Sequence, residues 1–323
     1  MKNGSNRFYK ESTSIGGEEA WVYSKTNAQG KSHARFACIP AKGCLAAALQ
    51  LDGVDLIYGY REGQELDILP AYRSCILAPF PNRIRNGKYT FEGKTYQFPK
   101  NDVDLDHALH GFVWNKAFDL KTEFLGDELE LCFTYDYDGA QAYYPFPFNL
   151  SLTYYIEGDA FRFKIDCTNN GDGNMPIGLG WHPYFKQAGK IESLLHFENE
   201  GKVEIDQTMI PIGSLKAKDF VNEQIDDLLL DNSFKLKQLP EDEAQLSIHF
   251  RNGKTWDKDK VLYLYAEEGL EYFHFYKNQN MNAIAIEPMS CNIDAFNNGE
   301  GLQVLHPGQT FGMSFRMVLK NKV

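Results

Sequence analysis

At 323 residues the chain is long enough for one large domain, and its 14% aromatic content, with 18 Tyr and 23 Phe, favours strands over helices. Acidic residues outnumber basic ones by 44 to 33, a formal charge of -11 that repels an extended phosphate backbone or an anionic bilayer on average, so nucleic acid and membrane partners are not expected. Met1 to Arg7 leads into polar residues without a signal-peptide core, and no run approaches the ~20 apolar residues of a membrane span, so the expected location is cytoplasmic.

The six cysteines, Cys38, Cys44, Cys75, Cys132, Cys167 and Cys291, form no CxxC pair and mostly sit in apolar runs. They read as small buried hydrophobes in a reducing compartment rather than a zinc site, although an even count leaves bridges open.

In chain order, Ala20 to Tyr23 and Ala34 to Cys38 alternate as antiparallel strands do. Leu45 to Leu51 and Val54 to Tyr60 follow, divided by Asp52-Gly53, a strong hairpin signal. Ile76 to Ile84 contains Pro79 and Pro81, which neither a helix nor a central strand tolerates, and reads as a fixed loop. Lys88 to Phe98 alternates around Gly93 as a second hairpin. The aspartates of Asp102 to Gly111 resemble a calcium loop, but its sixth position is His107 rather than Gly and its twelfth is Val113 rather than Glu, so an EF-hand is rejected.

Glu128 to Tyr137, Phe148 to Ile156 and Phe161 to Cys167 continue the strands, and Tyr143 to Phe148 puts rings and prolines into a rigid loop that either fills a sheet edge or stacks on a sugar. Leu194 to Gln207 is read as strand, and Lys216 to Asn232 as helix or loop from the spacing of Ile225, Leu228 and Leu229. Leu246 to Phe250, Val261 to Ala266, Tyr272 to Tyr276 and Ala283 to Ile286 resume the strands; the polar loop Cys291 to Gly301 precedes Leu302 to His306 and Thr310 to Leu319. No linker or repeat divides residues 1–323, so the expectation is one all-β domain, a large antiparallel β-sandwich or barrel.

Four places put polar side chains where a sandwich face has no need of them: Asn82-Arg83, His110, His182 and Glu287. Arg83 has the bland alternative of capping a loop carbonyl, His110 of a surface position, and His182 of a core imidazole bonded to backbone. Glu287 ends the apolar run Ala283 to Ile286, where a carboxylate is costly unless it is paired or functional, and burial would raise its pKa toward that of a useful base. A carboxylate base with a histidine acid moves protons near pH 7. A metal held by His107, His110, His182 and Glu287 competes, but the spacing of His107 and His110 is not that of a zinc helix.

The ordered set Asn82-Arg83-Ile84, Gly87 to Phe91, Gly93 to Tyr96, Leu109-His110-Gly111, Trp181 to Phe185, Glu287-Pro288-Met289 and Pro307-Gly308 resembles the aldose 1-epimerase (galactose mutarotase) family. The resemblance implies a β-supersandwich and the interconversion of sugar anomers without a cofactor or metal. It implies Glu287 as the base at the C1 hydroxyl, His182 as the acid at the ring oxygen, and His110 polarising the oxygens near C1. Arg83, with its neighbour Asn82, would contact sugar hydroxyls, Asp231 would hold the substrate, and Trp181, Tyr184 or Tyr143 would present a ring face. The expected substrate is a free hexose. A hexose 6-phosphate, served by Arg73 and Arg85, and a non-catalytic sugar-binding protein remain as alternatives. The acid–base reading requires His182 and Glu287 to face one cavity, on opposite sides of the hemiacetal centre.

Overall fold

In the computed structural model, which describes residues 7–27, 29–68, 71–187, 193–250, 259–278 and 280–322, strands Leu129–Tyr137, Phe148–Glu157 and Ala160–Asn169 bury nearly every second side chain. Successive Cβ atoms of a strand point to opposite faces, so alternation in the sequence becomes a core face and a solvent face. These strands belong to a nine-stranded sheet in the order Asp119–Leu125, Leu129–Tyr137, Phe148–Glu157, Ala160–Asn169, Thr310–Asn321, Lys260–Glu268, Leu246–Phe250, Ser193–Phe197 and Phe220–Gln224.

A second sheet runs Pro211–Leu215, Asn199–Ile205, Asp231–Leu236, Tyr272–Tyr276, Ala283–Met289, Gly180–Trp181 and Ile76–Leu77, with Tyr184–Lys186 also pairing Ala283–Met289. A third, of five strands in sequence order, extends from Tyr9–Ile15 to Val54–Asp55. The strands of all three sheets pair antiparallel with their neighbours.

Rings tie the layers together. Trp181 of the second sheet stacks on Phe163 and Phe315 of the first at centroid distances of 5.1 and 5.7 Å. Phe36 of the third lies 4.6 Å from Tyr154, whose hydroxyl donates to the Cys44 carbonyl at 2.8 Å. The nine-stranded sheet is thus the wall that both others share, an all-β supersandwich as expected. Ala283–Met289 is buried at every position because one face, with Ile284 and Ile286, joins the core, while on the other Ala283 and Ala285 pack with Tyr184, Met289 packs with Val203 and Tyr272, and Glu287 reaches a cavity.

Several local expectations change. Residues 216–232 form no α-helix: Phe220–Gln224 is an edge strand paired with Ser193–Phe197, followed by a 3-10 turn at Ile225–Asp227 and the strand Asp231–Leu236. The helical spacing misleads because Ile225 is buried while Leu229 stays 78% exposed, so the three apolar residues never share a face. Leu194 to Gln207 is two strands in different sheets, Ser193–Phe197 and Asn199–Ile205. In the run from Val54, only Val54–Asp55 forms a regular strand. The proline-rich loop contains the short strands Ile76–Leu77 and Arg83–Ile84, and the polar loop after Cys291 contains a one-turn helix, Ala295–Asn298.

The Asp52-Gly53 hairpin is present, with positive φ of 43° and 73° at its two central residues, the mirror-image turn that suits twisted strands. All six cysteines are free thiols, five of them buried. The leaderless start expected at Met1 falls, but for Arg7, outside the described residues, among which no helix is long and apolar enough to cross a membrane.

Candidate active site

Glu287 is placed by strand register. Ser233 pairs with His274, and His274 with Glu287, across the adjacent strands Asp231–Leu236, Tyr272–Tyr276 and Ala283–Met289. Directly opposed residues share a face, so the three form a row, and Asp231, two residues from Ser233, joins them. Ser233 Oγ is 2.9 Å from His274 Nδ1, and His274 Nε2 is 3.1 Å from Asp231 Oδ1 and 4.0 Å from Glu287 Oε1. An ionised Asp231 can only accept, which assigns the His274 proton to Nε2 and makes the Ser233 hydroxyl the donor to Nδ1.

His182 arrives from the other side of Glu287. Strand Gly180–Trp181 pairs with both Ala283–Met289 and Ile76–Leu77, and the His182 N–H donates to the Cys75 carbonyl at 3.0 Å. This sets His182 Nε2 3.2 Å from Glu287 Oε1 and stacks the imidazole on Tyr184. Since neighbours in an extended chain face opposite ways, a cavity-facing His182 commits Trp181 to the core. Trp181 is fully buried, its indole N–H donates to the Ser74 carbonyl at 3.0 Å, and it does not reach the cavity, contrary to the substrate-binding expectation. Tyr143 also lies elsewhere, whereas Tyr184 is on the cavity wall.

His110 and Asn82 clasp each other: the Asn82 N–H donates to His110 Nδ1 at 3.1 Å, and the His110 N–H to the Asn82 carbonyl at 2.8 Å. Both adopt positive φ, 55° for Asn82 and 61° for His110, a region Asn and His enter more readily than most residues. Gly111 follows at φ +65°, where a Cβ would meet the Ala78 carbonyl oxygen at 2.0 Å. Arg83 donates from Nε to Asp102 Oδ2 at 2.7 Å and from Nη1 to Asn82 Oδ1 at 3.3 Å. Its backbone carbonyl accepts from the Asp294 N–H at 2.8 Å, so the polar loop after Cys291 anchors this strand.

Arg83, His110, His182, Asp231, His274 and Glu287 converge on a cavity of about 570 Å³, with Asn82, Tyr72, Tyr276 and Asp104 also on its walls. Of the residues expected to act on or hold the sugar, Trp181 and Tyr143 are absent from it. His274, Tyr72 and Tyr276 are additions; the overlooked signal was a histidine at the centre of the aromatic run Tyr272 to Tyr276.

Burial pushes the Glu287 carboxyl up to about 7, partly offset by the nearby His274. Burial also holds His182 down to about 3 and His110 well below the usual histidine value. For Asp231 burial acts upward, but the hydrogen bond from His274 and the neighbouring positive charges outweigh it and leave the carboxyl below its ordinary value. Glu287 Oε2 and His182 Nδ1 are buried with no hydrogen-bond partner in the protein. His182 and Glu287 do face one cavity, but they touch rather than flank it.

The donor atoms of His110, His182 and Glu287 lie within 4.8 Å of one another, close enough to bridge a cation. The tautomer disfavours one: the Asn82 N–H occupies His110 Nδ1 and leaves the ring proton on Nε2, where a metal would need a lone pair. His107 is turned away, accepting from the Asn86 N–H at Nδ1 (3.0 Å) with Nε2 3.1 Å from the Thr208 carbonyl, so the four-ligand metal set is not assembled.

Fold and cavity together define a galactose mutarotase-like supersandwich with a polar, carboxylate- and histidine-lined cavity. A galactose mutarotase-like protein from Clostridium acetobutylicum superposes with a TM-score of 0.84 at 17% identity, covering 98% of this chain and 100% of that one. The GalM/aldose epimerase homologue from C. elegans gives a TM-score of 0.75 at 20% identity over 98% and 100% of the two chains. The chain belongs to the aldose 1-epimerase family, whose model matches residues 30–317. It is 24% identical to the uncharacterized protein YihR of Escherichia coli over 91% of this chain and 92% of that protein, and 25% identical to galactose mutarotase of Sus scrofa over 54% and 52%. Enzymes of this family are epimerases that act on sugars.

Proposed function

We propose that this protein is a mutarotase interconverting the α and β anomers of a free hexose such as glucose or galactose. The observation that carries the reading is the buried 3.2 Å contact between His182 Nε2 and Glu287 Oε1, with an unpartnered atom on each group, on the wall of a polar cavity. The two oxygens that exchange protons in ring opening, O1 and O5, are bonded to one carbon. An acid and a base that serve them must therefore be neighbours, and direct contact fits better than the opposed arrangement first expected.

The reactive pair carries one proton, on His182, with Glu287 ionised. Burial by itself favours the same proton on Glu287, since it raises the carboxyl and depresses the imidazole; both are forms of one singly protonated pair. A sugar O1–H donating to Glu287, and O5 accepting from His182, draw the proton across. Glu287 takes the O1 proton, the O1 electrons close the C1 carbonyl, the C1–O5 bond breaks, and O5 receives the His182 proton. Rotation about C1–C2 and return of both protons close the ring as the other anomer. His110, with its proton on Nε2, donates to O1 as charge develops there. Arg83, Asn82 and Asp231 hold the hydroxyls remote from C1. These steps require no cofactor.

Electrostatics favour a neutral sugar over a phosphorylated one. Arg73 is paired with Asp67 and lies over the Tyr60 ring at 4.0 Å, while Arg85 pairs with Asp206 at 3.3 Å, and neither lines the cavity. Among the described residues Arg83 is the one Lys or Arg on the wall, already matched by Asp102, and Asp104, Asp231 and Glu287 stand with it.

The test is NMR exchange between anomers of glucose, galactose and glucose 6-phosphate. Accelerated exchange of a free hexose is expected, with kcat/KM at least about tenfold lower for the phosphate, equivalent to ~1.4 kcal/mol. No acceleration with any sugar would refute the mutarotase reading, and a preference for the phosphate would refute the charge argument.

A further inference from the structure

His274 is a buried imidazole that the steps above leave unused. It is 3% exposed, yet both ring nitrogens are engaged, Nδ1 by Ser233 and Nε2 by Asp231, and Nε2 also stands 4.0 Å from Glu287 Oε1. That separation is longer than a hydrogen bond, so the proton goes to Asp231 while the N–H dipole faces the carboxyl beside it. Ser233 is itself fully buried, and strand register places it opposite His274.

We propose that His274 is a positioning residue for anomer exchange: fixed in one tautomer by Ser233, its Nε2–H holds Asp231 in line and turns a preset dipole toward Glu287 as that group becomes a carboxylate. The proposal rests on the reading of Glu287 as the base. A carboxylate that forms away from water is stabilised by dipoles already in place, which need no reorganisation during the reaction. Two imidazoles supply them here, His182 at 3.2 Å and His274 at 4.0 Å. The other charged or titratable groups around Glu287 are His110 in the same cluster, Asp231 and Arg83 on the cavity wall, and Tyr184 on the neighbouring strand. Of these, Asp231 opposes ionisation of Glu287 and Arg83 favours it, so the His274 contribution must be read against both.

The test uses the full chain with His274→Leu, His274→Gln and Ser233→Ala. Exchange is followed by NMR, and Glu287 is titrated by 13C NMR of protein labelled at the glutamate carboxyls, with Glu287→Gln identifying its resonance. His274→Leu is expected to lower kcat about 10²-fold, the scale of a misplaced catalytic group. It should also raise the Glu287 midpoint by about one pH unit, since a favourable neighbour of the charged form is lost. His274→Gln, whose amide N–H reaches the same acceptors, should regain at least about tenfold of the lost kcat. Ser233→Ala should shift the midpoint in the same direction by less.

An unmoved midpoint in His274→Leu, or a His274→Gln variant as slow as the leucine variant, would overturn the proposal. If His274→Leu does not fold, Ser233→Ala decides: a raised midpoint supports the proposal and an unchanged one overturns it. Wild type without exchange on any sugar would sink the mutarotase reading, and the Glu287 midpoints would still decide whether His274 acts on that carboxyl.

Discussion

Glu287→Gln is expected to lower kcat for anomer exchange by about 10²–10⁴-fold, the usual contribution of a positioned proton-transfer group, with the fold retained. The amide keeps the shape of the carboxyl and can still meet His182, but it cannot take the O1 proton. His182→Asn should cost a similar factor, and the double variant little more than either single one, because the two groups act as a unit. In wild type, kcat/KM should fall as pH rises through about 7, where the pair loses its one proton, a limb that disappears in the residual activity of Glu287→Gln. Survival of exchange in Glu287→Gln within a few-fold of wild type would remove Glu287 from the mechanism.

The same carboxyl makes a prediction about stability. Burial raises folded Glu287 from 4.5 to about 7, so its neutral form favours the fold fully below pH 4.5, and that contribution is lost as pH rises through about 7. Glutamine does not ionise. Glu287→Gln should therefore gain on wild type between pH 5 and 9, by up to about 3 kcal/mol for a shift of this size. The histidines act in the opposite sense: His182 and His110 are depressed, and their contribution, complete above pH 6.5, is lost at lower pH, for His182 as pH falls through about 3. Both remain in the variant and largely cancel from the comparison. Thermal melts across this range measure the difference, and a pH-independent one would contradict the burial argument.

The second large effect falls on Trp181. Trp181→Ala is expected to destabilise the protein by about 3–5 kcal/mol, the range for deleting a large aromatic side chain from a packed core. The indole stacks on Phe163 and Phe315 and lies 6.1 Å from Phe161, so its loss opens a void where the two large sheets meet and orphans the Ser74 carbonyl. Trp181→Phe fills part of the space and should lose less, retaining KM for the sugar because the ring never faces the cavity. Urea denaturation gives the first quantity and exchange kinetics the second. A raised KM in Trp181→Phe with stability intact would restore Trp181 to the substrate site.

Much of the architecture was legible because its determinants are local. Alternation in Phe148 to Ile156 and the turn chemistry of Asp52-Gly53 act over two to ten residues and needed no partner to be read. Arg83, His110, His182 and Glu287 were legible as misfits, polar side chains beside prolines, glycines or apolar runs. Lys216 to Asn232 was misread because one apolar spacing suited both a helix and an edge strand crossing to a turn, and the choice lay with Ser193–Phe197, which offers Phe220–Gln224 a pairing edge. His274 was missed because a histidine among rings reads as one more aromatic.

The sequence by itself determined an all-β chain, its main hairpins and a set of residue types able to move a proton near neutral pH, since backbone preference and side-chain chemistry belong to the residues. The tertiary structure alone decided that Ser233, His274 and Glu287 share one row, that His182 faces the cavity while Trp181 faces the core, and that Arg73 and Arg85 spend their charges elsewhere. Register between strands far apart in the chain sets which side chains meet, and burial sets what protons they hold; neither exists until the sheets have closed on one another.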